Sequence, residues 1–187
     1  MLHATLEATP VIALAGNPNS GKTALFNAIT GSRQHVGNWP GVTVEKKEGT
    51  TSIDGNLATI IDLPGTYAFS SRALDETIAR DFIVNEQPDL VINVVDSTNL
   101  ERNLYLTLQL LEMEVPIIVA LNMFDEAESL NLQIDVAKLS QSLGVPVIPT
   151  VAPQKSGINE LLSEALRTIS SKISSDSRVS ESLRQPE

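Results

Sequence analysis

Cysteine is absent from the 187 residues, which excludes disulfides, thiolate metal sites and thiol nucleophiles together. Positive charge is scarce: 13 Lys and Arg stand against 23 Asp and Glu, a formal net charge of −10. A protein that grips nucleic acid through a broad cationic face must neutralise phosphates with those side chains, so no nucleic-acid partner is expected. A single local phosphate pocket remains allowed. Histidine occurs only at His3 and His35, neither with partners at metal-ligand spacing, so both read as surface residues. Long apolar runs are also missing. The longest, 11–15 and 116–121, fall far short of the ~20 residues that span a bilayer. The N-terminus lacks the basic start and apolar stretch of a signal peptide, so the expected setting is soluble and cytosolic. What is present is 42% hydrophobic and 19% charged, a chain that buries a core as one domain.

Short β-branched runs alternate with helical patterns over nearly the whole length. Segments 11–15, 57–61, 90–95, 117–121 and 145–148 are too short for helices and apolar on both faces, as in parallel strands covered on both sides. Between them lie the amphipathic stretches 25–29, Leu74/Ile78/Phe82, Leu104/Leu108/Leu111 and Val136/Leu139/Leu143. The clearest helix steps through Ile158, Leu161, Leu162, Ala165, Leu166 and Ile169 behind a Ser156 N-cap. This βα order predicts a doubly wound α/β sheet. Segment 43–53, with Glu45-Lys46-Lys47-Glu48, reads as an edge strand. Asp54-Gly55 then turns it antiparallel to 57–61, giving six strands in all. Residues 170–187 contain seven serines and read as a fraying helix end and linker, which leaves 1–169 as the folded domain.

Gly16-Asn17-Pro18-Asn19-Ser20-Gly21-Lys22-Thr23 follows the first strand and opens the first helix. It has the pattern G-x-x-x-x-G-K-[ST] in the context that gives it meaning. The glycines let successive N–H groups, including that of Ala24, surround a phosphate at the helix N-terminus. Lys22 reaches the β/γ oxygens and the Thr23 hydroxyl is placed to ligate Mg²⁺. By chance, average residue frequencies match these four fixed positions in such a chain under about 1% of the time. Asp62-Leu63-Pro64-Gly65 ends an apolar strand about 40 residues later, where Asp62 can hold Mg²⁺ directly or through water and the Gly65 N–H faces the γ-phosphate.

Asn122-Met123-Phe124-Asp125 ends the strand at 117–121. The Asp125 carboxylate can accept hydrogen bonds from N1–H and the N2 amino group of guanine, whereas adenine would leave it unpaired. Leaving a buried charge without its partner costs several kcal/mol, enough for ~10³-fold discrimination. The expected nucleotide is therefore GTP or GDP, with Asn122 joining the phosphate loop to the base-side loop. Thr150-Val151-Ala152 follows the last strand, where guanine-nucleotide proteins commonly have Ser-Ala-Lys. In that register the Ala152 N–H reaches guanine O6, while Val151 and Pro153 alter the side-chain support.

Between the first helix and the edge strand lies 33–45, in which Gly37, Pro40 and Gly41 flank an exposed-looking Trp39. Such a segment suits a switch, and Thr43, beside Gly41 and Val42, is the residue expected to close on Mg²⁺ and the γ-phosphate. An alternative for Trp39 is a lid packed on a hydrophobic edge. Taken together, Gly-Asn-Pro-Asn-Ser-Gly-Lys-Thr, Val-Gly-Asn-Trp-Pro-Gly-Val-Thr-Val-Glu, Asp-Leu-Pro-Gly-Thr-Tyr, Asn-Leu-Glu-Arg-Asn-Leu-Tyr-Leu and Asn-Met-Phe-Asp resemble the cytoplasmic G domain of the FeoB ferrous-iron transporters. The resemblance runs from about 11 to 166. It implies a Ras-like P-loop GTPase fold, with helices on both faces of the sheet. It also implies a GTPase on the cytoplasmic side of a bacterial inner membrane that gates or powers Fe²⁺ uptake. Its partners would be the helical and transmembrane domains C-terminal to it, with a homo-oligomer left open.

Thr66 stands where Ras-like enzymes carry the glutamine that orients the attacking water. Neither Arg33 nor Arg72 is evidently a finger. The resemblance implies K⁺ in that role, held by Asn19 and by the backbone carbonyls of Gly37 and Trp39, where it would neutralise charge on the leaving group. On this reading Lys22, Thr43, Gly65 and Asn19 carry catalysis. Two rivals are an Era-like GTPase of ribosome or tRNA maturation, which the acidic balance disfavours, and a GTP-gated switch that scarcely hydrolyses.

Overall fold

A computed structural model of the chain describes residues 9–69 and 73–182, with side chains to 172; His3, Arg72 and 183–187 lie outside that range. The elements run β1 (Val11–Gly16), α1 (Lys22–Thr30), β2 (Gln34–Asn38), β3 (Glu45–Ile53), β4 (Asn56–Asp62) and α2 (Leu74–Asp81). A π-helical turn at Phe82–Glu86 leads to β5 (Leu90–Asp96), α3 (Leu100–Glu112), β6 (Ile117–Asn122) and α4 (Phe124–Ser129). The chain continues through α5 (Val136–Leu143), β7 (Val147–Pro149), a 3₁₀ turn at Ala152–Gln154 and α6 (Ile158–Ser182).

The seven strands form one sheet in the order β2-β3-β4-β1-β5-β6-β7. Five of them, from β4 to β7, are parallel, and β3 runs antiparallel to β4 as its Asp54-Gly55 turn predicts. Both turn residues take left-handed conformations, φ 50° and 86°, which the tight hairpin requires. The seventh strand, β2, corrects the six expected from sequence. It pairs antiparallel with β3 and takes over the edge. All five β2 residues are exposed, so no hydrophobic alternation marks them, and pairing alone holds them extended.

Helices cover both faces. Ile12, Leu14, Leu25, Phe26, Leu161, Ala165 and Ile169 form one core between the sheet, α1 and α6. Ala13 and Ala15 of the same β1 strand point the other way, toward Ile83, Leu106 and Leu110. Completely burying one such aliphatic side chain contributes roughly 1.5–3 kcal/mol. The helix α3 corrects the expected face: Leu106 and Leu110 are fully buried while Leu108 is 51% exposed. Leucine at every second position of 104–110 hides the period. The inward face also carries Asn103, whose Oδ1 accepts from the Asp96 N–H, and Thr107, whose buried hydroxyl donates to the side-chain Oδ1 of Asn93. At the far end, α6 continues its helical backbone through Ser170 to Ser182.

Parallel order places the C-terminal ends of β4, β1, β5 and β6 side by side, where α/β sheets bind ligands. Gly16, Asp62, Asp96 and Asn122 all stand there.

Candidate functional site

The chain leaves β1 at Gly16 and re-enters order at α1 through a loop bent by two left-handed residues, Asn19 (φ 67°) and Gly21 (φ 80°). A side chain on Gly21 would put its Cβ 2.2 Å from Asn122 Nδ2, so only glycine permits this approach. No side chain caps the N-terminus of α1 and no acidic residue lies in its first turn. Its dipole and first N–H groups thus face a cleft of about 560 Å³ walled by Asn17, Asn19, Lys22, Thr23 and Gly65. Asn17 Nδ2 and Oδ1 and Ser20 Oγ are buried in this loop without a hydrogen-bond partner among the described residues.

The ammonium of Lys22 is ion-paired with the Asp62 carboxylate, and both residues are buried. Asp62 sits at the end of β4, opposite Leu14 of β1. Beyond it the chain crosses the phosphate loop: the Thr66 N–H donates to the Gly16 carbonyl (3.1 Å), and a Cβ on Gly65 would lie 3.4 Å from Pro18 Cα. The Thr66 hydroxyl is itself engaged, donating to the Ala68 carbonyl at 2.7 Å. The donor set suits a polyphosphate with Mg²⁺: free N–H groups and one lysine for the anion, one threonine hydroxyl and one carboxylate for the metal. Among the described residues no group of three or more His, Asp or Glu side chains could hold a metal ion alone.

A smaller slot adjoins the cleft through Gly21, Ala24 and Met123. Its floor is organised by Asn122, whose Nδ2 donates to the Ser20 carbonyl (3.0 Å). Asn122 Oδ1 accepts from the Ala152 N–H (3.2 Å) and the Thr150 hydroxyl (3.3 Å). The Ser97 hydroxyl donates to the Asn122 carbonyl at 2.6 Å. Met123 (φ 58°) turns the chain into α4, and Asp125, in its first turn, lines the slot with Val151, Pro153 and Gln154. The Gln154 amide donates to Asp125 Oδ2 at 3.2 Å.

The 37–43 segment, read from sequence as a switch, is elsewhere. Trp39 is 7% exposed, correcting the exposed residue suggested by its Gly- and Pro-rich neighbours. Its indole meets Phe82 edge-on, with centroids 5.5 Å apart, and Lys46 lies 5.4 Å above the ring. The ring belongs to the core beneath α2. This is the lid-on-an-edge arrangement, beside a separate cavity of about 590 Å³ lined by apolar residues such as Ile61, Ile78 and Phe82 and by Lys46, Asp81, Asn85 and Glu86. The Trp39 carbonyl accepts from the Val42 N–H (3.2 Å), Gly37 lies in β2 opposite Lys46, and Gly41 and Thr43 are exposed. None of Gly37, Trp39, Gly41, Val42 or Thr43 walls the phosphate cleft. The structure therefore brings Asn19, Thr23, Lys22, Asp62 and Gly65 together at one end and Asn122, Asp125 and Ala152 at the other, and holds the switch on its hairpin. Arg33 and His35 are exposed.

Sequence reading missed Asp75, which lines the phosphate cleft from the start of α2, and Gln154. Asp75 had a faint signal as an acidic residue in a helix's first turn; Gln154 had none.

The sequence profile of a family described as ferrous iron transport protein B matches residues 10–165. The Fe(2+) transporter FeoB of Escherichia coli K12 is 58% identical over 154 residues, covering 80% of this chain and 20% of that protein. The chain thus spans about a fifth of the length of the curated relatives it matches. The FeoB G-domain from Methanococcus jannaschii superposes with a TM-score of 0.78 at 49% identity, covering 87% of this chain and 98% of that one. The cytosolic domain of the T. maritima FeoB iron transporter in its GMPPNP form gives 0.83 at 48% identity, covering 85% and 63%.

Proposed function

The chain belongs to the ferrous iron transport protein B family, and from that premise we propose that it is a G domain that binds GTP and GDP and hydrolyses GTP. The carrying observation is Asn122, which bonds Ser20 of the phosphate loop and Ala152 of the base-side loop at once. That bridge sets Asp125 beside the phosphate cleft, at a place where a nucleoside attached to the phosphates would present its base.

In this reading Lys22 exchanges its bond with Asp62 for the β/γ oxygens, while the N–H groups at the start of α1 surround the β-phosphate. Asp125 accepts from N1–H and the N2 amino group of guanine. Thr23, Asp62 and, after the switch moves, Thr43 would hold Mg²⁺, which when bound supplies charge neutralisation between the phosphates. Asn19, with Gly37 and Trp39 carbonyls after the same movement, would hold K⁺, whose chemistry is to offset charge on the leaving group. The engaged Thr66 hydroxyl leaves water orientation to backbone groups such as the Gly65 N–H. The relatives' names support a role in moving Fe²⁺ across a membrane, through domains beyond this one. No helix among the described residues is long and apolar enough to cross a membrane. The domain's place in that reading is the cytoplasmic side.

Base exchange tests the assignment. Asp125→Asn should move nucleotide preference from GDP toward XDP by more than about tenfold, because the amide can donate to the xanthine oxygen. A variant still selective for GDP removes Asp125 from this role.

A further inference from the structure

We propose that Gln154 is a specificity-determining positioning residue: its side-chain amide fixes the plane of the Asp125 carboxylate for base recognition. The inference rests on the reading of Asp125 given above. Gln154 Nε2 donates to Asp125 Oδ2 across 29 residues of sequence. This is the sole hydrogen bond to that carboxylate from the described residues. Of the loop residues, Val151, Pro153 and Gln154 line the slot with Asp125, and Gln154 is the one of these three with a side-chain donor. Val151 is apolar, Pro153 has no donor, and the Thr150 hydroxyl donates to Asn122.

The backbone that carries Gln154 is closed on itself. Val151 and Ser156 exchange N–H···O=C bonds at 3.1 and 3.2 Å, the Gln154 N–H donates to the Val151 carbonyl, and the Lys155 N–H donates to Ala152. Pro153 fixes the φ of the 3₁₀ turn. The loop leaves through Gly157 (φ 74°), where any Cβ would fall 2.0 Å from the Pro149 carbonyl. The backbone is thereby fixed, while the Gln154 side chain is exposed and its torsions are ordered only by the contact with Asp125.

The chemistry suits recognition of a base edge that offers two donors. A carboxylate free to rotate about χ2 presents its oxygens in many planes. One donor on a single lone pair of Oδ2 selects a plane and leaves acceptor capacity on both oxygens. A neutral amide adds no opposing charge beside the carboxylate, so its remaining lone pairs still favour a base edge that donates over one that presents an acceptor.

Binding of GDP, IDP and inorganic pyrophosphate to wild type, Gln154→Ala and Gln154→Glu tests this. IDP lacks the N2 amino group and so makes one contact with Asp125 where GDP makes two. Loss of alignment should weaken GDP by about 5- to 10-fold in Gln154→Ala, the scale of one charge-assisted hydrogen bond. The GDP-to-IDP affinity ratio should narrow, and pyrophosphate binding should stay within twofold. Gln154→Glu, which sets a second carboxylate against Asp125, should weaken GDP more than Gln154→Ala does. A GDP-to-IDP ratio within twofold of wild type in both variants overturns the proposal, as does an equal loss of pyrophosphate binding. Asp125→Asn separates the two failures: if it shifts preference to XDP while the Gln154 variants keep the wild-type ratio, Asp125 reads the base and Gln154 does not position it.

Discussion

The side-chain amide of Asn122 donates to the backbone carbonyl of Ser20 at 3.0 Å, joining loops 102 residues apart. Its other end accepts from Ala152 and Thr150, so one buried side chain sets the spacing between phosphate loop and base slot. Asn122→Ala should leave those groups without partners. Each buried unsatisfied group costs about 1–3 kcal/mol, and GDP affinity should fall by well over tenfold as the loops part. Thermal denaturation with and without GDP checks this: the variant should melt lower and gain less from the nucleotide. A wild-type GDP-induced shift would contradict it.

Lys22 and Asp62 form a buried ion pair, so a change at Lys22 has two separable effects. Lys22→Met strands the Asp62 carboxylate, a loss of roughly 3–5 kcal/mol in folding stability. Adding Asp62→Asn removes the uncompensated charge and should recover most of that stability. It should not recover nucleotide binding, which in the proposed reading draws on the ammonium. Denaturant unfolding of both variants, paired with GDP titration, reads the two effects independently. A double variant that binds GDP at wild-type affinity would show that Lys22 serves only the fold.

Trp39 is the one tryptophan in the chain and is packed against Phe82. If the 37–43 segment leaves its hairpin as a unit when Thr43 reaches the metal, the indole loses its contact with Phe82 and becomes more exposed to water. The emission maximum should shift to longer wavelength when GDP is replaced by a non-hydrolysable GTP analogue. Identical spectra in the two states would mean that Trp39 stays docked and that the 37–43 segment does not close on the nucleotide.

The legible parts of the fold were those whose signal is local. Strands such as Leu90–Asp96 and Ile117–Asn122 are buried along nearly all their length, and that burial is written in unbroken apolar runs. Likewise the phosphate loop depends on eight consecutive residues, and the structure folds them between β1 and α1. Less local features escaped. β2 carries no hydrophobic alternation because neither of its faces is covered. Leucines at alternate positions blurred the face of α3, which Asn103 and Thr107 help to define through buried bonds. Trp39 sits among loop-forming residues and owes its burial to Phe82, 43 positions later. Gln154 reaches Asp125 only because the 151–156 loop closes on itself, a relationship no spacing rule encodes.

Asn19 lies on the phosphate-cleft wall with a left-handed backbone, and in the proposed reading its side-chain oxygen would be one ligand of a monovalent cation. Asn19→Ala should lower GTP turnover in KCl to the level seen in NaCl, while GDP affinity stays within a few-fold. Turnover that keeps its full KCl dependence in this variant would remove Asn19 as the ion's ligand.

The most direct test of the whole account is phosphate release by the unmodified chain from GTP and from ATP, each measured in KCl and in NaCl with Mg²⁺ present. Turnover is expected with GTP alone, faster in KCl than in NaCl. Comparable turnover of ATP, or equal GTP rates in the two salts, would contradict it.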